Sequence, residues 1–246
     1  VQTNTFTDTG LLLEGTQVGH FDSQDVAVDN AVNGAPLRYY RDCSGVALDG
    51  QPTGQLIVAN CAGIRATNLT IGQTAVAVEL AFVRSAVLED NLFWASLSGL
   101  RLIESTGLVA IHNAFVLNAL PVIGTLAETW DGGYPVGGNY WSDYGGADSC
   151  SGPAQNVCPD ADGIGDVPYT VGQAGVDRYP LMRPYSAGAL PLVARFTVSP
   201  AVGDTSTVYV FNASGSSDPN GPDSAIRFRW DFDGDGVWDT PWSSNR

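Results

Sequence analysis

Ile64-Arg65-Ala66-Thr67-Asn68-Leu69-Thr70-Ile71, Val87-Leu88-Glu89-Asp90-Asn91-Leu92-Phe93-Trp94 and Val109-Ala110-Ile111-His112-Asn113-Ala114-Phe115-Val116 read as three versions of one segment. Aligned on Asn68, Asn91 and Asn113, they recur at 23 and 22 residues. A second alternating run follows each: Val76-Ala77-Val78-Glu79-Leu80, Leu100-Arg101-Leu102-Ile103 and Val122-Ile123-Gly124-Thr125-Leu126. Each repeat therefore offers two short strands joined by turns. A period near 22 residues with short strands predicts a right-handed parallel β-helix, whose coils stack ~4.8 Å apart and pile their inward apolar side chains into one core. The recurrent Asn has a physical role in such a stack. It tolerates the left-handed turn conformation, and stacked carboxamides hydrogen-bond to their copies in neighbouring coils. A β-sandwich would repeat by hairpin, whereas this similarity recurs by coil.

Working outward, Asn4-Thr5-Phe6 resembles Asn113-Ala114-Phe115, and Gly10 to Leu13, Val26 to Val28, Val46 to Leu48 and Gln55 to Val58 read as further strands. Val1 then falls inside a coil, whose open stacking face is expected to be covered by upstream residues or a neighbouring chain. Four cysteines form two local pairs, Cys43 with Cys61 and Cys150 with Cys158, as in a disulfide framework of an oxidising compartment. The first pair is 18 residues apart, close to one coil, so a bridge there would staple two coils. Four free thiols are the alternative; zinc is disfavoured, because no Cys-x-x-Cys occurs and neither His20 nor His112 stands at ligand spacing from a pair.

Composition agrees with an all-β chain. Hydrophobic residues make up 44% of 246 and charged residues 15%, which excludes a disordered tail or a charged coiled coil. Gly at 29 and Pro at 14 interrupt any helical spacing. The net charge is −15 and all 11 basic residues are Arg, a balance that makes nucleic acid an unsuitable partner. Nothing approaches ~18 uninterrupted apolar residues, so no membrane span is expected. Of the 26 acids 21 are Asp, a bias toward turns and cation loops.

Four segments follow from these patterns: β-helix coils over 1–130, an Asp- and aromatic-rich closing module over 131–185, a small-residue linker over 186–191, and an incomplete β-sandwich over 192–246. The last contains three alternating runs, Ala194 to Val198, Thr207 to Phe211 and Ile226 to Phe232.

The Asn-x-Phe coils, Asp42-Cys43-Ser44-Gly45 and the segment Gly138-Asn139-Tyr140-Trp141-Ser142-Asp143-Tyr144 resemble the NosD-type periplasmic β-helix family, as does Asp162-Gly163-Ile164-Gly165-Asp166-Val167-Pro168-Tyr169. The resemblance covers about residues 1–185. Residues 192–246 resemble the start of a PKD domain, an Ig-like sandwich, through Phe211-Asn212-Ala213-Ser214-Gly215-Ser216-Ser217-Asp218-Pro219 and Trp230-Asp231-Phe232. NosD resemblance implies a role in copper loading of nitrous oxide reductase. Copper favours Cys, Met and His, whereas here the cysteines read as paired, Met182 is the single Met and the two His are far apart. A β-helix joined to a PKD domain resembles exported cell-surface proteins, which implies an extracellular or cell-surface structural or adhesive scaffold; separately, the incomplete units at both ends raise the expectation of head-to-tail assembly into a homo-oligomer or filament.

The strongest chemical motif is Asp231-Phe232-Asp233-Gly234-Asp235-Gly236-Val237-Trp238-Asp239. Oxygens recur at alternate positions, the Val237 carbonyl can add one more, and the spacing suits calcium, a hard cation taking six to eight oxygens. It resembles the first nine positions of an EF-hand loop. Trp242 stands where that loop carries its bidentate Glu, and an acidic hairpin without metal is the alternative. Asp160-Ala161-Asp162-Gly163-Ile164-Gly165-Asp166 is a shorter loop of the same kind, with Asp143, Asp148 and Asp177 as further candidate ligands and a turn rigidified by Cys150–Cys158 as the alternative. Calcium in either loop is expected to be structural.

Catalysis is the weaker expectation. Asp22, Asp25, Asp29, Asp42, Asp49, Glu89, Asp90 and Glu104 could cluster on neighbouring coils as a glycosidase pair, yet none forms a recognisable motif. A chain of charge −15 repels acidic polysaccharides. Arg65, Arg84 and Arg101 are expected to be solvated, and His20 and His112 to be structural. Trp130, Tyr134, Tyr140, Trp141 and Tyr144 suit the apolar cover of a cap better than a glycan-stacking platform, although surface glycans remain the alternative partner. Asn68-Leu69-Thr70 and Asn212-Ala213-Ser214 are glycosylation sequons.

Overall fold

The computed structural model describes residues 1–185, 192, 194–204, 206–216, 226–235 and 238–244. The expected linker 186–191 lies outside them, as does Val237. The chain divides into two units, 1–187 and 188–246. Its one helix among the described residues is the single turn Gly19–Asp22.

The first unit is a parallel β-solenoid of about six turns. Three sheets run along it. The first contains Ala35–Arg41, Gln55–Ala59, Val76–Ala81, Ser98–Ile103 and Leu120–Ile123; the second Ala47–Asp49, Ala62–Thr67, Arg84–Glu89 and Thr106–Ile111; the third Thr70–Gly72, Leu92–Trp94, Ala114–Val116 and Tyr140–Trp141. All neighbours within these sets are parallel. The inward positions line up coil upon coil: Leu56, Val78 and Leu100 share one column, Ile64, Ala86 and Leu108 a second, and Ile71, Phe93 and Phe115 a third. All nine are almost completely buried. Burial of such side chains is worth roughly 1.5–3 kcal/mol each, which is how short strands of low individual stability become a solenoid.

The structure corrects the repeat in two respects. Each coil has three strands, because the run from Ala62 to Gly72 breaks at a left-handed residue, Asn68 (φ 55°). The register is also 22 residues at both steps, with Ala62 opposite Arg84 opposite Thr106, and Thr70 opposite Leu92 opposite Ala114. Asn68 therefore stacks on Asp90 and His112, which share its left-handed conformation (φ 57° and 59°), and Leu69 stacks on Asn91. Alignment on Asn is one residue out in the first repeat. The two roles expected of one Asn are divided between consecutive positions: Asn68, Asp90 and His112 make the turn, while Asn91 and Asn113 make the ladder.

Other differences have equally local causes. Leu11 to Leu13 and Val26 to Val28 form no strands. Instead residues 9–22 cross the outer face of the first sheet, where Leu13 and Phe21 pack on Ile57, Ala59 and Ala81. Gln55 secures the crossing by exchanging two hydrogen bonds with the Leu11 backbone (2.9 and 2.6 Å), and the Tyr39 hydroxyl donates to the Phe21 carbonyl (2.5 Å). Gln55–Ala59 and Val76–Ala81 are thus buried on both faces, which is why they lack polar alternation. The coil preceding Gln55 is short: Leu37 lies opposite Gln55 and Ala47 opposite Arg65, each 18 residues on. Cys43–Cys61, with the same separation, joins these stacked coils as the spacing predicts. Cys150–Cys158 is also formed, and no free cysteine remains.

In the second unit the described residues contain one antiparallel pair, Thr197–Ser199 with Val210–Asn212, and an isolated bridge between Phe228 and Ser243. Of the three expected runs, two form strands and the third contributes that bridge. Phe196, Phe211, Trp230 and Phe232 make its aromatic cluster.

Candidate functional site

At one corner of several coils the side chain of an Asn reaches back to the coil before it. Asn91 Oδ1 accepts from Leu69 N (2.9 Å), Asn113 Oδ1 from Asn91 N and Nδ2 (3.1 and 2.8 Å), and Asn139 Oδ1 from Asn113 N and Nδ2 (both 3.0 Å). The same geometry recurs near the start of the chain, where Asn4 N and Nδ2 both donate to Asn30 Oδ1 (both 3.0 Å), so the resemblance of Asn4-Thr5-Phe6 to Asn113-Ala114-Phe115 extends to function within the stack. The ladder has a direction. Amide N–H groups of one coil meet acceptors from the next, so the last coil needs an acceptor that no further Asn supplies.

Asp177 fills that place. Its Oδ2 accepts from Asn139 N (2.8 Å) and Trp141 Nε1 (2.9 Å), and its Oδ1 from Tyr179 N (3.1 Å). The carboxyl is fully buried, and burial pushes its pKa up to about 6 against the three hydrogen bonds that favour the anion. A side chain at Gly138 would run into this carboxylate, which explains a glycine there. Glu128 acts similarly at another corner, where its Oε2 accepts from Leu108 N (2.8 Å). Asp177 is thus placed as a stack-end acceptor, buried away from bulk solvent.

The remaining predicted ligands of the closing module are held by backbone and hydroxyl donors. Asp166 accepts from Ser149 N and Cys150 N (both 3.0 Å), and Asp148 from Asp162 N (3.1 Å) and Gly163 N (2.9 Å). Asp162 accepts from Ile164 N (3.0 Å), Asp160 from the Ser151 hydroxyl (2.9 Å), and Asp143 from the Tyr169 hydroxyl (3.0 Å). Sequence reasoning missed Asp131, whose carboxylate takes a two-pronged contact from Arg178 (3.0 and 2.6 Å) and stays ionised to lower pH than an ordinary Asp, the Arg178 bonds outweighing its burial.

Among the described residues, the acidic side chains that converge are in the second unit. Asp231, Asp233 and Asp239 present carboxylate oxygens within 4.8 Å of one another. Metal–oxygen bonds of about 2.3–2.6 Å, as in calcium sites, place ligand oxygens up to roughly 5 Å apart, so these three residues could hold one metal ion. The loop is shaped by its own acids: Asp231 accepts from Gly234 N (2.7 Å), Asp233 from Asp235 N (3.2 Å) and Asp239 from Phe232 N (2.6 Å). Three carboxylates supply half of a calcium shell, and backbone carbonyls or water would supply the rest. Asp235 is outside this set, and Trp242 packs its ring on the Arg229 guanidinium (4.5 Å).

Trp130 and Trp141 are interior, each 1% exposed, while Tyr134, Tyr140 and Tyr144 are partly buried. Phe115, Trp141 and Tyr169 stack in a continuous pile with centroids 4.4 and 4.5 Å apart. They cover the apolar end of the coils. His112 stacks on Tyr185 (3.4 Å) with Nε2 2.9 Å from the Val136 carbonyl. Arg65 is exposed, as expected, and pairs with Glu89 at the surface (2.6 Å), whereas Arg101 is largely withdrawn from solvent and pairs with the buried Glu79 (3.1 Å). Compared with family models, curated proteins and solved structures, the chain matches none.

Proposed function

We propose that the chain is part of an exported structural or adhesive scaffold, with calcium stiffening the second unit. The observation that carries this reading is where the polar residues go. Asn91, Asn113, Asn139, Asp177 and Glu128 are spent on joining one coil to the next, and Cys43–Cys61 locks two coils covalently. Paired cysteines suit an oxidising compartment, hence an extracellular, cell-surface or periplasmic setting. The resemblance to a β-helix joined to a PKD domain supports the same assignment. The Asp231, Asp233 and Asp239 set is made of hard oxygen ligands, which favours calcium over copper.

Calcium titration with thermal melting tests the metal. At 100 times its dissociation constant a bound ion adds about 2.7 kcal/mol to the unit that holds it. Chelator should remove that increment, and Asp231→Asn with Asp233→Asn should abolish it without moving the solenoid transition. An unchanged melt would make the loop a metal-free hairpin. Retention on a panel of neutral and acidic glycans separates the scaffold from the carbohydrate-binding alternative, and mass measurement at high concentration tests head-to-tail assembly.

A further inference from the structure

We propose that Asn212 is an N-glycan acceptor and that Asn68, which heads the other sequon, is not. The inference rests on the exported setting proposed above. Both tripeptides have the required pattern, Asn68-Leu69-Thr70 and Asn212-Ala213-Ser214, so sequence alone ranks them equally. Transfer requires the carboxamide nitrogen to reach a donor sugar and the tripeptide to be open to a transferase. Both tripeptides expose their outer residues and bury the middle one, so the sites differ in how the carboxamide and the backbone are held.

Asn68 is built into the stack. Its Nδ2 donates to Asp49 Oδ1 (2.7 Å), and its backbone occupies the left-handed corner between Ala62–Thr67 and Thr70–Gly72. The middle residue Leu69 is 1% exposed, donates to Asn91 Oδ1 (2.9 Å) and accepts from Leu92 N (2.8 Å). Drawing this tripeptide into an enzyme would break contacts to coils on both sides.

Asn212 ends the strand Val210–Asn212; it and Ser214 are exposed and Ala213 between them is buried, as at the Asn68 sequon. Its Oδ1 accepts from Ser214 N (2.8 Å), closing an Asx turn. A donor on the carboxamide oxygen draws electron density from the amide and makes Nδ2–H easier to deprotonate, while Nδ2 itself points to no hydrogen-bond partner among the described residues. The sequon also borders an open groove of about 600 Å³ lined by Ala194, Arg195, Phe196, Thr197, Asn212 and Ser214. Phe196, 61% exposed, offers a ring face to a sugar, and Arg195 offers a donor to its hydroxyls.

The chemistry is a substitution at an anomeric carbon. The donor is a lipid-pyrophosphate-linked oligosaccharide. Nδ2 gives a proton to the transferase base and forms the N–C1 bond as the C1–O bond to pyrophosphate breaks, and the pyrophosphate leaves with the electron pair.

The test uses protein isolated from the cells that make it, weighed intact and mapped by peptide, with thiols alkylated before reduction. The expected result is a saccharide increment on the Asn212 peptide, none on the Asn68 peptide, and four unalkylated cysteines. Asn212→Gln and Ser214→Ala should each remove the increment at unchanged melting temperature, Ser214→Thr should keep it, and Asn68→Gln should leave it intact. An unmodified Asn212 peptide in protein with both disulfides formed overturns the proposal while leaving export standing. Modification at Asn68 overturns it too. Four alkylated thiols with no saccharide would overturn export and glycosylation together.

Discussion

Glu79→Gln should flatten the dependence of stability on pH. Glu79 lies on the outer face of Val76–Ala81, level with Ile57 in one neighbouring coil and Arg101 in the other, beneath the segment 9–22. It is fully buried; Oε2 takes Arg101 Nη1 at 3.1 Å, the same nitrogen donates to the Leu13 carbonyl at 2.6 Å, and Oε1 has no hydrogen-bond partner. Burial pushes the carboxyl up from 4.5 to about 7, more than Arg101 pulls it down. Because the folded value is the higher one, the contribution to stability is complete below pH 4.5 and is lost as pH rises to 7, when the unfolded chain ionises before the folded one. A displacement of this size corresponds to about 3 kcal/mol, most of it falling between pH 5 and 8. For a unit of this length that is roughly 5–10 °C in Tm.

The assay is urea unfolding of wild type and Glu79→Gln at pH 5, 6.5 and 8. Gln keeps the carbonyl that Arg101 needs but has no proton to lose, so the difference in stability between the two should change by about 2–3 kcal/mol across the series in favour of the variant. Asp177, raised to about 6, adds its own slope to both proteins and cancels in the comparison. Parallel curves would refute the reasoning and put the Glu79 carboxyl in contact with water.

The division of labour between neighbouring corner residues predicts unequal mutants: Asn113→Ala removes the acceptor for Asn91 N and Nδ2 and should cost about 3–5 kcal/mol, whereas Asn68→Ala, which loses an exposed bond to Asp49 and a residue suited to the left-handed turn, should cost about 1–2 kcal/mol, both read from urea midpoints. Equal losses would return the ladder to the alignment on Asn68. Replacing Cys43 and Cys61 together by Ser opens an 18-residue loop, and loop entropy puts the expected loss at about 3 kcal/mol, with Cys150 and Cys158 unaffected by peptide mapping.

How much was legible follows from which interactions are local. The solenoid was visible because inward positions such as Val78, Leu100, Ile71 and Phe93 must be apolar in every coil, and a stack translates that need into a period. Cys43–Cys61 was visible for the same reason, its separation matching a coil. The third strand per coil was hidden because Asn68, Asp90 and His112 share a conformation and no chemistry, so the break they impose has no common letter. The aromatic motif around Trp141 was readable as a cover, since large apolar rings at an open end have one place to go.

The acidic residues show the limit. Sequence spacing alone set Asp160, Asp162 and Asp166 beside Asp231, Asp233 and Asp239 as a shorter loop of the same kind. Folding separates them by distance: backbone N–H groups donate to carboxylates in both loops, but among the described residues only Asp231, Asp233 and Asp239 bring three carboxylates within 4.8 Å of one another. Asp177 was assigned by sequence to a metal loop and by folding to the end of the Asn ladder, a role fixed by the coil that happens to lie beneath it. The repeat by itself determined the stacked coils, since periodic burial is written in the order of residues. Only tertiary structure decided what each acid does, since that depends on which donors the chain brings from 17 residues away for Asp166 or 38 for Asp177.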